Sequence, residues 1–208
     1  MIRKFFLGAI AALTMIACNT QQGNNHESVT GRQDVADELI MSRRSIRKWQ
    51  DRTISRDTLD IIMKHGINAP NGRGTQSYEV RVIDNPALLQ EMSEAVGRRQ
   101  TAGTPFSNIF VNAPCVVFIA SYEGYDLSQV DCGLLGENII LSAWSMGIGS
   151  CCLGSPVRTL IGSDAAAPYI DRLGFSEGYN LLYCIALGYP DEAPAAKPRK
   201  EDKVRYVE

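Results

Sequence analysis

A chain of 208 residues, 45% of them hydrophobic, can bury one sizeable core and leaves little room for a second. Its formal charge of -2 excludes a general nucleic-acid binder, which needs a basic surface against the phosphate backbone. With two histidines, His26 in a polar stretch and His65 in a helix, and no cysteine pair at CxxC spacing, no metal centre is expected.

Arg3 and Lys4 open the chain, Phe5 to Ile16 is an apolar run too short for a stable bilayer span, and Ala17 precedes Cys18. This order is similar to a bacterial lipoprotein signal, which would remove residues 1–17 and leave Cys18 to carry the lipid, with Met15 where a leucine is usual. An ordinary secretory signal or an uncleaved anchor are the other readings of the same residues. Several acyl chains on Cys18 would hold the protein on a cell-envelope membrane, at its periplasmic or outer face, since each buried methylene adds ~0.8 kcal/mol. Asn19 to Gln33 is polar with little to bury, so residues 18–33 are expected as a flexible tether and residues 34–208 as one folded domain.

From Asp34, Val35, Leu39, Ile40 and Arg43 recur at helical spacing and deliver Arg43, Arg44, Ser45, Ile46, Arg47, Lys48 and Trp49 at the helix end. Four cations in six positions around a serine hydroxyl suit a phosphate, because arginine forks match its oxygens bidentately. The bland alternative is a solvated patch at the negative end of a helix dipole. Ser55 caps the next helix, with Leu59, Ile62, Met63 and Gly66 on one face, Asp57 and Asp60 near its positive end, and Ala69 and Pro70 closing it. Asn71 to Gln76 is a glycine-rich loop without the Gly-Lys-Ser/Thr ending of a Walker loop, and Tyr78, Val80 and Val82 then alternate as a strand.

Pro86 to Val96 predicts a third helix, opened by its proline. Gly97 to Asn112 has no period and reads either as a cover over a site or as an ordinary surface loop. Cys115 to Ala120 is continuously apolar, as in a strand buried on both faces. Val130 to Met146 is a helix apolar nearly all round, which belongs in a core or a subunit interface. Gly147 to Ser155 turns into a short strand. It is not a dinucleotide fingerprint, because Cys152 takes the place of the third glycine. Leu181 to Leu187 is a last apolar strand, closed by Gly188, Tyr189 and Pro190, and Lys197, Pro198, Arg199 and Lys200 lie in a polar basic tail. Helices alternating with strands predict an α/β or α+β sandwich around a central sheet.

Five of these pieces, in this order, resemble the FMN-dependent nitroreductase family over roughly Val35 to Arg205. Arg43 to Trp49 resembles its Arg-Arg-Ser-x-Arg-x-aromatic opening, and Ala69, Pro70 and Gln76 its Ala-Pro-x-x-x-Asn-x-Gln loop. Asp131, Gly133, Asn138, Leu141 and Ala143 resemble its long helix, and Gly147, Gly149, Ser150, Cys151 and Gly154 the turn that follows. Leu187 to Pro190 and Lys197 to Lys200 resemble its closing Leu-Gly-Tyr-Pro and Lys-Pro-Arg.

The resemblance implies an α+β sandwich whose central, mainly antiparallel sheet is flanked by helices, in a homodimer with FMN at the interface and the long apolar helix against its partner. By position, Arg43, Ser45 and Arg199, with Lys197 nearby and Arg44 as a second candidate, would hold the FMN phosphate and ribityl oxygens. Arg47 would lie against the pyrimidine side of the flavin, where a cation favours the anionic reduced form. Cys152, Leu153, Gly154 and Ser155 would form the turn whose backbone faces the ring. The family's flavin-contacting asparagine falls at Gly74, while Gln76 keeps its place and Ser77 and Tyr78 replace Pro and Trp. Either Asn71 or Arg73 then supplies the missing contact, or the flavin is held more weakly. Adjacent Cys151 and Cys152 are expected as structural thiols, since neighbours rarely pair without strain.

The implied activity is a two-step exchange: NAD(P)H reduces the flavin and leaves, and a nitroaromatic, quinone or similar acceptor enters the same cleft. The cofactor carries that chemistry, so no protein acid or base is named. Nicotinamide cofactors are not expected outside the cytoplasm, and an envelope location therefore leaves two further readings. One is a flavoprotein reduced by a membrane partner, with a dehalogenase-like or dehydrogenating reaction; the other is a lipoprotein that binds flavin or another aromatic ligand without turnover.

Overall fold

The computed structural model describes residues 25–97 and 108–208. The signal residues, Cys18 and the start of the expected tether lie outside the described residues, as does most of the unpatterned segment after Gly97. By its contacts the chain divides into Met1–Val35 and a main unit, Ala36–Glu208.

In the main unit, β1 (Tyr78–Ile83), β2 (Cys115–Tyr122), β3 (Gly149–Leu153) and β4 (Tyr179–Gly188) make a four-stranded sheet of order β1-β2-β4-β3. Every strand pair in it is antiparallel. The central strand β2 explains its own unbroken apolar run: Cys115, Val117 and Ile119 face one core and Val116 and Phe118 the other. The first core packs under α2 (Arg56–Ile67) and α4 (Ser128–Ser145), through Leu59, Ile62, Leu135 and Ile139. The second packs under α3 (Pro86–Gly97), α5 (Ser155–Ile161) and α6 (Ala167–Leu173), through Leu89, Met92, Val157, Leu160 and Leu173. The architecture is the expected α+β sandwich, helices on both faces of an antiparallel sheet.

Ser55 caps α2 as expected, its hydroxyl accepting from Thr58 N at 3.3 Å. Helix α1 (Asn25–Ser42) starts earlier than the sequence predicts, so residues 25–33, expected as tether, are helical. Polarity alone does not exclude a helix, and this stretch contains no proline to stop one. Residues 155–173 received no element from the sequence, yet they form α5 and α6. At seven residues each, these helices are too short to display a period.

Candidate functional site

After Ser42 the chain leaves α1 and runs alongside the sheet. Ser45 makes a parallel bridge with Ser150 of β3, and Ile46 N donates to Ser150 O at 2.9 Å. Further on, Gln50 N donates to Tyr189 O at 2.9 Å and Asp191 N to Lys48 O at 3.0 Å. The two apolar residues of the basic stretch are its anchors. Ile46 is 1% exposed and packs so closely on Gly149 that a Cβ there would lie 2.7 Å from its Cγ1. Trp49 lies over Gly188 and donates through Nε1 to Val111 O at 3.0 Å. Pinned at both points, the segment presents Arg43, Ser45 and Arg47 along the β3 edge.

The C-terminal tail returns to the same place because Glu192 is inserted beneath the cations. Its carboxylate accepts from Arg47 N and from Lys48 N, the latter at 3.2 Å. Arg43, Arg44, Ser45, Arg47, Lys197 and Arg199 then line one cavity of about 120 Å³. The residues expected to converge from opposite ends of the chain do converge. Among the described residues the Arg43 guanidinium, the Lys197 ammonium and the Ser45 hydroxyl have no hydrogen-bond or ion-pair partner. Fixed donors, uncompensated cations and one hydroxyl are the donor set of a phosphate dianion. Full small-molecule pockets measure roughly 300–1,000 Å³, so this one suits the charged end of a larger ligand.

Arg44, the second candidate, lines the cavity too but also has a structural role. Its Nη1 donates to Met41 O and Arg43 O, both at 2.8 Å, so it closes the last turn of α1, as a cation at a helix C-terminus does. Arg47 keeps its guanidinium exposed, with only a long 3.4 Å contact to Ser45 O. Cys152 is the exposed residue of β3 while Cys151 is buried, and α5 starts at Ser155 directly after Gly154. Burial pushes the Cys151 thiol up from its ordinary value, opposed by Arg47 and Arg43. Cys152 is also raised, by burial and by Cys151 and Glu137. Neither thiol is paired.

The loop carrying Asn71, Gly74 and Gln76 lies elsewhere. It feeds β1 at Tyr78, opposite Ser121 near the end of β2, whereas the phosphate cluster borders Leu187 and Ser150, beside Cys115 at the start of β2. Ser121 and Cys115 on β2 are roughly 20 Å apart at ~3.4 Å per residue. A single protomer therefore does not bring the loop to the phosphate cluster. The loop is nevertheless rigidly built. Asp131 of α4, 3% exposed, accepts from Gly72 N at 2.9 Å and from Ser77 Oγ at 2.7 Å. Asn71 Oδ1 accepts from Gln76 N at 3.0 Å, so Asn71 is committed to bracing the loop, and the Arg73 and Gln76 side chains have no hydrogen-bond partner among the described residues. Asp131 and Glu192 carry structural roles that the sequence did not disclose. A buried carboxylate on a helix and an acidic residue amid basic ones were the only signals.

Residues 40–189 match the Nitroreductase family. A protein of Archaeoglobus fulgidus named for NADH dehydrogenase/NAD(P)H nitroreductase is 30% identical over 159 residues, 74% of this chain and 84% of that relative. A nitroreductase with bound FMN from Desulfitobacterium hafniense is similar in structure, with a TM-score of 0.74 and 28% identity over 84% of this chain and 98% of the other. Another with bound FMN, from Bacteroides fragilis, gives 0.75 and 25% over 84% and 99%.

Proposed function

The chain belongs to the nitroreductase family and is an FMN-dependent oxidoreductase, and we propose that it serves a nicotinamide donor and a small aromatic acceptor through FMN held between two copies of the chain. The observation that carries this reading is the cavity that Arg43, Ser45, Lys197 and Arg199 line together, none of the three cations forming a salt bridge among the described residues. FMN bound there would supply two-electron transfer, with donor and acceptor using one cleft in turn.

The chain's own residues do the holding. Arg43, Lys197 and Arg199 neutralise the phosphate, Ser45 donates a hydroxyl, and Arg47 offers a cation beside the flavin ring. The β3–α5 turn, Cys152 to Ser155, lies at the same sheet edge, where Gly154 leaves the backbone open to close approach. The loop of Asn71, Gly74 and Gln76 would come from the second protomer, since its own lies at the far end of the sheet. Val130 and Leu134, one turn apart on α4, remain 55% and 41% exposed, which supports a homodimer covering this helix. The N-terminal residues support lipid attachment at Cys18 and an envelope location, with donor supply there by a membrane partner as the alternative to NAD(P)H.

The test is to purify the chain without residues 1–18, add FMN, and follow the flavin absorbance under anaerobic NADH or NADPH and then a quinone or nitroaromatic. Bound flavin that bleaches with a donor and recovers with an acceptor is expected. A protein that stays colourless after FMN addition overturns the reading, and bound flavin that no donor reduces leaves a binding protein without turnover.

A further inference from the structure

The Asn71–Gln76 loop has few side chains left for the flavin of a second protomer, because its own turn uses most of them. Asn71 Oδ1 accepts from Gln76 N, Thr75 Oγ1 donates to Gly72 O at 2.8 Å, and Ser77 Oγ donates to the buried Asp131 carboxylate at 2.7 Å. Tyr78, buried at the start of β1, donates its hydroxyl to Ile67 O at 3.2 Å. Gly74 has no side chain to offer. Arg73 and Gln76 remain, both exposed and both without a side-chain hydrogen-bond partner among the described residues. The same two residues carry the loop's left-handed backbone outside glycine, with φ of +57° at Arg73 and +49° at Gln76. Such a conformation costs a non-glycine residue energy and persists where the surrounding structure over-determines it. Here it does: Gly72 N donates to Asp131 Oδ1 at 2.9 Å and Thr75 N to Gly72 O at 3.0 Å. Tyr125 fills the space beside Gly72, where an added Cβ would lie 2.0 Å from its hydroxyl. A rigid turn that accepts strain at its two uncommitted side chains is built to present them.

We propose that Arg73 of one protomer donates to the pyrimidine edge of the FMN held by the other, in place of the asparagine absent at Gly74. This role rests on the flavin reading. A guanidinium only donates, so on a flavin it serves the ring nitrogen and carbonyl oxygens of that edge, the opposite edge being apolar. An asparagine amide supplies a neutral contact. Arg73 supplies a charge as well, and a cation there stabilises the anionic reduced flavin more than the neutral oxidised one. Gly74 beside Arg73 thus exchanges a neutral contact for a charged one and raises the potential of the bound flavin.

The test uses the full-length protein with FMN, reading oxidised-flavin affinity by fluorescence titration and the midpoint potential by equilibration with a redox dye. Arg73→Gly should weaken oxidised FMN about tenfold and reduced FMN by a further ~tenfold, which lowers the midpoint potential by about 30 mV. Its urea midpoint should stay at the wild-type value, because glycine adopts this φ without strain, whereas loss of a residue that merely braces the turn would lower it. Arg73→Lys keeps the charge and should hold the wild-type potential, while recovering part of the affinity because an ammonium lacks the guanidinium fork. A mixed dimer of Arg73→Gly and Arg43→Ala chains should carry one site of wild-type affinity. Wild-type affinity and potential in Arg73→Gly, a lowered urea midpoint, or a mixed dimer without a tight site overturns the role. Wild-type protein that stays colourless with FMN overturns the flavin reading and this role with it, and yellow wild-type protein with an unmoved Arg73→Gly potential overturns this role alone.

Discussion

Arg44 and Arg43 stand side by side, and what separates their roles is which of them finds carbonyls. Both line the cavity, but Arg44 commits its Nη1 to Met41 O and Arg43 O, while the Arg43 guanidinium has no partner among the described residues. The helix-end reading of the basic stretch thus describes Arg44, and the phosphate reading remains the proposal for Arg43. Gly74 is the complementary case, a place where a contact is missing. Its φ is +70°, a conformation asparagine and aspartate tolerate better than most residues, and nothing lies within 4 Å of the space a Cβ would take. Gly74→Asn should therefore fold normally and tighten FMN by about three- to tenfold, the net worth of one hydrogen bond. Gly74→Asp, equal in shape, should weaken it, because a carboxylate faces an electron-rich ring. Fluorescence titration of flavin into both variants checks the pair, and equal affinities would remove the loop from the site.

Among the elements, α4 is the one on which most depends. It lies against β4 at Gly136, where an added Cβ would fall 2.0 Å from the hydroxyl of Tyr183, which itself donates to Cys132 O at 2.6 Å. Gly136→Ala should cost about 1–3 kcal/mol, as overpacking of a tight core does, and appear as a lower urea midpoint. Burial pushes the Cys115 thiol of β2 up to about 12 and the Cys132 thiol of α4 up to about 11. A folded pKa raised above the ordinary 9.0 means that this stability is whole below that pH and is lost as pH rises through 9 toward 11–12. Of the five described cysteines only Cys152 is exposed, so at about pH 8 a thiol reagent should label it alone in native protein lacking residues 1–18, and FMN should slow it. Labelling of Cys115 or Cys132 before unfolding would contradict the packing. The elements were legible where burial imposes a period or an unbroken run, as in α2 and β2. They were not legible in α5 and α6, although Pro156 and Pro168 in their first turns were start signals that could have been used.

At the scale of the whole molecule, sheet order decides what can meet. The convergence of Arg43, Ser45 and Arg199 was readable through the family resemblance. The separation of the Asn71–Gln76 loop from them was not, because the order β1-β2-β4-β3 is a property of pairing that no local stretch encodes. For the same reason Glu192, which seats the tail, looked like one acidic residue among many. If Cys18 carries lipid, Cys18→Ala should move the protein from the membrane to the soluble fraction with its flavin site intact, and an unchanged distribution would return the N-terminus to an ordinary signal or anchor. The two-protomer site is tested most directly by heterodimers. Arg43→Ala and Gly74→Asp chains carrying different tags are co-expressed, and the mixed dimer is isolated and titrated with FMN. Each variant homodimer should bind flavin weakly, and the mixed dimer should regain one site of wild-type affinity, because one of its two sites pairs an intact phosphate cluster with an intact loop. A mixed dimer with no tight site would mean that both halves come from one protomer, contradicting the separation along β2.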